Sequence, residues 1–217
     1  MKLGIILYEG VNLLDVAGPL EMFTWASRDL PAGQSLDILL ISQDGQSVQT
    51  MNQVTLGAHA SFGETPALDV VWVPGGDVDA LRTMMASAQA PYFVYLRQVA
   101  ARAQWVCSVC EGALLLARAG LLDGHKATTH WAFVDCLKQF PLIEVDQERQ
   151  RFVVSGNRLT GGGISAGLDE ALQLILLLFG EGPAVSARIS TQYFPDPPVP
   201  AQLPPAAPPC MFSWPRD

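Results

Sequence analysis

Short, continuously apolar runs alternate along this chain with segments of helical length. Residues 3–10 (LGIILYEG) are too few for an amphipathic helix and predict a buried parallel strand. A helix follows, with Leu20, Phe23 and Trp25 on one face and Pro19 in its first turn. Residues 36–41 predict a second strand, 47–58 a hairpin or meander, and 68–73 a β-branched strand that Pro74, Gly75 and Gly76 break before a helix near Val78. Residues 91–103 read as a crossover helix that delivers the chain to an apolar strand at 105–109. The strong helix formers at 112–119 come next, closed by Gly120. Residues 124–140 give a short strand and a helix, and 143–160 two β-runs joined at Ser155, Gly156 and Asn157. A long apolar helix runs from Ser165, its expected N-cap, to Gly180, and 183–194 are helical again. Such alternation implies an α/β domain over 1–195, with a mostly parallel sheet between helices. The prolines of 196–217 predict an extended strap or a disordered tail, with Phe212 and Trp214 as anchors on the same or a neighbouring subunit.

Composition narrows the function. The 217 residues are 49% hydrophobic with a net charge of -8, so phosphate backbones are repelled and nucleic acid is disfavoured as a partner. No apolar run has the length to cross a bilayer, so no membrane partner is expected. Four cysteines without an obvious disulfide framework point to a reducing compartment, the cytoplasm, and Cys107, Cys136 and Cys210 read as small buried hydrophobes. With only 16% charged residues, some apolar surface should meet a partner.

The chemistry converges on residues 104–124. Cys110 stands between a buried strand and a helix, where helix N–H groups would stabilise a thiolate and lower its pKa below about 8.5. That makes it a candidate nucleophile on a strand–turn–helix elbow. Cys107 and Cys110 form a C-x-x-C, but no second pair or H-x-x-x-H completes a metal shell, and no metal or other cofactor is expected. If the 68–73 strand neighbours the Cys110 strand, the amides of Gly75, Gly76 and Glu111 share one crevice as an oxyanion hole. Asp15 is either a helix cap or a carboxyl at the sheet edge, and His130 is either a base for Cys110 or a structural residue. The Gly161–Gly163 triplet lacks the spacing of a phosphate loop.

Five stretches carry a resemblance: LLDVAGP (13–19), VPGG (73–76), SVCEGALLLARAGLLDG (108–124), ATTHW (127–131) and LTGGGISAGLD (159–169). Together they resemble the ThiJ/PfpI (DJ-1/PfpI) superfamily, whose fold is a flavodoxin-like three-layer sandwich related to class I glutamine amidotransferases. Within it the likeness is to isonitrile hydratases and to the amidase-like sensor domains of AraC-type regulators. The resemblance implies that Asp15 hydrogen-bonds the Cys110 thiol and takes part in proton transfer, and that the chain forms a homodimer. It implies hydration of a small isonitrile to an N-substituted formamide without a cofactor, or alternatively a small-molecule or oxidative-stress sensor without turnover. Glu111 departs from the hydratases, which have threonine there, and from the protease-like branch, which has histidine. It adds a second carboxylate near Asp15 and Cys110.

Overall fold

The computed structural model describes residues 1–212. The first strand, β1 (Lys2–Ile6), is followed by α1 (Leu13–Ala26), β2 (Asp37–Ser42), and the small strands β3 (Val48–Gln49), β4 (Thr55–Leu56) and β5 (Ala60–Ser61). Then come β6 (Val70–Val73), α2 (Val78–Met85), α3 (Pro91–Ala100), β7 (Trp105–Ser108) and α4 (Gly112–Arg118). The rest comprises β8 (Lys126–Ala127), α5 (Val134–Leu137), β9 (Glu144–Val145), β10 (Phe152–Ser155), β11 (Arg158–Gly161), α6 (Ala166–Phe179) and α7 (Glu181–Ser190).

The main sheet runs β10-β11-β7-β6-β1-β2-β5. Every neighbouring pair is parallel except β10 with β11, the hairpin expected around Gly156. Buried on both faces, β6 is wholly apolar (Val-Val-Trp-Val), which is why it lacks the alternation of a half-exposed strand. Helices α1, α6 and α7 pack together, and α4 contacts α2, α3 and α5, giving the flavodoxin-like three-layer sandwich. Strand order reverses at β1, with β2 on one side and β6 on the other, and the loops after β1, β6 and β7 open at that switch point, where open α/β sheets hold ligands.

Three local expectations are corrected. Pro19 is not in the first turn of α1: the helix starts earlier, with Asn12 as N-cap accepting from Leu14 N at 3.0 Å, so Pro19 lies inside it. Having no N–H, Pro19 leaves the Asp15 carbonyl four residues back without its helical donor, and the Trp72 indole donates to that carbonyl at 3.3 Å. Ser165 precedes α6 but makes no side-chain cap, because its hydroxyl accepts from Arg151 Nη1 at 3.1 Å. Cys136 and Cys210 are not small packed hydrophobes but a disulfide, 74 residues apart in sequence. The cysteines therefore no longer argue for a reducing compartment.

The Pro-rich segment after α7 folds back on its own chain, with Phe212 only 4% exposed and stacked on Phe133 at 5.8 Å between ring centroids. Trp214, the second expected anchor, lies outside the described residues. Among those residues no helix is long and apolar enough to cross a membrane.

Candidate active site

Cys110 ends the β7 strand in a left-handed turn, φ 58°, before α4 begins at Gly112. A non-glycine residue there costs on the order of 1 kcal/mol and is held by its surroundings. Cys110 N donates to Gly162 O at 2.9 Å, and Thr129 Oγ1 donates to Cys110 O at 2.8 Å. Gly112 makes the turn feasible, since a Cβ on it would lie 2.0 Å from the Val73 carbonyl oxygen. Ile164, itself at φ 35°, directs its N–H at the sulfur.

Asp15, Cys110 and Glu111 are all buried, and one ligand atom from each lies within 4.8 Å of the others. Asp15 comes from the first turn of α1, where its Oδ2 accepts from Gly75 N at 2.9 Å and its Oδ1 has no well-formed partner. Glu111 folds its carboxyl back toward β6, accepting from Gly76 N–H and hydrogen-bonding the Cys110 thiol. Its Oε2 sits so close to Gly75 that a Cβ there would meet it at 2.4 Å. The glycine amides do face the Cys110 crevice, but both are engaged by carboxyls and neither is free for an oxyanion.

The electrostatics correct the expectation of a depressed thiol pKa. Burial, then the Asp15 and Glu111 carboxyls, push the Cys110 thiol well above the ordinary thiol range, and the Ile164 N–H opposes them too weakly to prevail. Burial likewise raises Asp15, helped by the neighbouring Glu111 charge, and it raises Glu111. Burial and mutual repulsion thus raise all three groups together, so each makes the others harder to ionise. One thiol and two carboxyls this close together are also a donor set that a borderline divalent ion such as zinc could take.

A cleft of about 350 Å³ opens beside this corner, lined by Leu14, Thr129, His130, Trp131, Ile164 and Leu203 among others. Cys110, 1% exposed, lies behind its floor, bonded to Thr129, Gly162 and Ile164. His130 caps a short turn through Nδ1, which accepts from Ala132 N at 3.2 Å, so its proton sits on Nε2. Burial keeps the ring neutral. The ring lines the cleft and lies against Gly163, where a Cβ would meet its Nε2 at 2.9 Å.

Two residues went unnoticed in the sequence. Tyr8 donates to Pro74 O at 3.2 Å from the far side of the site, with burial and then its phenolic and acidic neighbours raising its pKa. Glu170, on α6, is wholly buried over Gly161, and burial, then the Asp15 charge, raises its carboxyl well above the usual range against a backbone hydrogen bond from Ser108. No pattern marks Tyr8 apart from other strand-end aromatics. Glu170 was detectable, as a carboxylate inside the apolar run of α6.

Residues 1–177 match the model of the DJ-1/PfpI family. The chain is 36% identical to an isonitrile hydratase of Pseudomonas putida over 96% of this chain and 85% of that one. It is 28% identical to the HTH-type transcriptional regulator GbdR of Pseudomonas aeruginosa over 88% of this chain but 50% of the regulator. Its fold is similar to that of a THiJ/PfpI family protein from Pseudomonas syringae, with TM-score 0.83, 32% identity, and coverage of 95% and 81% of the two chains.

Proposed function

Because the chain belongs to the DJ-1/PfpI family, we propose that it is a cysteine hydratase that converts a small isonitrile to an N-substituted formamide. One observation carries the reading: a thiol on a strained elbow, with two carboxyls of raised pKa against it and the Gly75 and Gly76 amides taken up by those carboxyls. Acyl transfer puts charge on a carbonyl oxygen and needs a free amide. An isonitrile instead needs a proton and a sulfur on the same carbon. Asp15, kept acidic by burial, gives its proton to the terminal carbon as Cys110 Sγ bonds to it, and the thiol proton passes to Glu111 or returns to Asp15. R–N≡C and Cys–SH thereby become the thioimidate R–N=CH–S–Cys. Water adds to that carbon, the C–S bond breaks with the proton returned to sulfur, and R–NH–CHO leaves. His130 Nε2–H and the apolar walls Leu14, Trp131 and Ile164 would orient the substrate.

Incubation with cyclohexyl isocyanide should yield N-cyclohexylformamide, and Asp15→Asn, which keeps the shape but not the transferable proton, should lose at least about 100-fold in rate with the melting curve unchanged. No formamide above buffer would sink the enzyme reading. The rival is a small-molecule or oxidative-stress sensor without turnover, supported by the likeness to GbdR, a transcriptional regulator, and it predicts no formamide at any enzyme concentration. The protein is further proposed to be a cytoplasmic homodimer with no nucleic-acid partner.

A further inference from the structure

The segment after α7 has no strand or helix of its own up to residue 212, and seven prolines among residues 196–212 remove that many backbone donors. What holds it is a handful of side-chain grips. Arg149 donates from Nη1 to Pro204 O and from Nη2 to Pro205 O, the latter at 2.8 Å. Gln139 Nε2 donates to Phe212 O at 3.4 Å, and the Phe212 ring is buried on Phe133. The one covalent link is Cys136–Cys210, which ties the segment to α5. Between the Arg149 grip and α7, Leu203 comes over the cleft and forms a wall of it alongside His130, Trp131 and Ile164.

We propose that residues 196–212 are a redox-releasable wall of the Cys110 cleft. With the disulfide closed, Leu203 narrows the cleft and admits only small substrates. A dithiol reductant delivers two electrons and two protons, the S–S bond breaks, Cys136 and Cys210 become thiols, and the reductant leaves as its own disulfide. The grips named above, and the Arg82 guanidinium over the Phe212 ring at 5.7 Å, are all non-covalent, so the strap then lifts and bulkier molecules reach Cys110. Cytosolic disulfides, where they occur, are typically such reversible links. The inference rests on Cys110 being the reactive group of the cleft, and its readout needs no turnover of isonitrile.

The test compares, on the whole protein at one fixed alkaline pH, the rate at which Cys110 is modified by small iodoacetamide and by a bulky fluorescein maleimide. Peptide mass mapping assigns the label. Reduction, and separately the Cys136→Ser/Cys210→Ser pair, should speed the bulky reagent at Cys110 about ten-fold and the small one much less, with circular dichroism and a cooperative melt retained. Leu203→Ala should do the same with the disulfide intact. Equal rates before and after reduction overturn the strap while leaving Cys110 reactive. Equal acceleration of both reagents with loss of the melt shows unfolding and overturns it too. Cys110 inert in every state would bring down the reactive-thiol reading itself.

Discussion

The Glu111 carboxyl lies where a developing negative charge would otherwise find the Gly76 N–H, and it adds its own charge to a corner that already holds Asp15. Replacing it with Gln should let the thiol ionise more easily. Cys110 in Glu111→Gln is expected to react with iodoacetamide at pH 8 up to about ten-fold faster, since one pKa unit below the titration midpoint is a factor of ten in thiolate. An unchanged rate would mean that Glu111 is neutral there and contributes no field. Glu170 gives a cleaner titration. Its folded pKa is raised by burial, so below the unfolded value of about 4.3 both states keep the proton. As pH climbs past that value the unfolded chain releases the proton first, and stability drains away until the folded pKa is reached. Glu170→Gln escapes this loss. It should be more stable than the parent by at least about 1 kcal/mol at pH 8 and no different near pH 4, as read by urea unfolding.

At the scale of elements, the site depends on α1 being a helix with a proline in its interior. Pro19 frees the Asp15 carbonyl, and Trp72 on β6 claims it, so helix and sheet are pinned together at the residue whose side chain faces Cys110. Trp72→Phe leaves that buried carbonyl without a donor and should cost roughly 1–3 kcal/mol on top of the lost ring volume, measured by denaturant midpoint. A loss below about 0.5 kcal/mol would mean that the carbonyl finds another donor. This link was invisible in the sequence because it joins residues 57 apart through one indole N–H. The strands were visible: β1, β6 and β7 are bounded apolar runs, and the Cys110 elbow followed from an abrupt change to helix formers. The thiol's protonation state did not follow, because a helix N-terminus lowers a pKa only while solvent or donors outweigh burial, and sequence spacing carries no measure of burial. Cys136 and Cys210 could not be paired either, since connectivity is a property of the fold.

For the whole molecule, Leu176, Leu177, Val185 and Ile189 are exposed on α6 and α7, an apolar face in a chain of mean hydropathy +0.24. Light scattering at micromolar concentration should give the mass of two chains, and Ile189→Asp should shift it toward one. A monomer mass for the parent protein would end the dimer proposal. The disulfide reaches beyond access to the cleft. By linking Cys136 to Cys210 it makes a covalent ring of everything from α5 to the strap, which removes loop entropy from the denatured chain worth about 4 kcal/mol for this length. The ring encloses the Gly162–Ile164 loop but excludes Asp15, Gly75 and Cys110. Reduction gives that loop entropy back to the denatured chain, so the reduced protein should unfold at a lower urea concentration than the oxidised one.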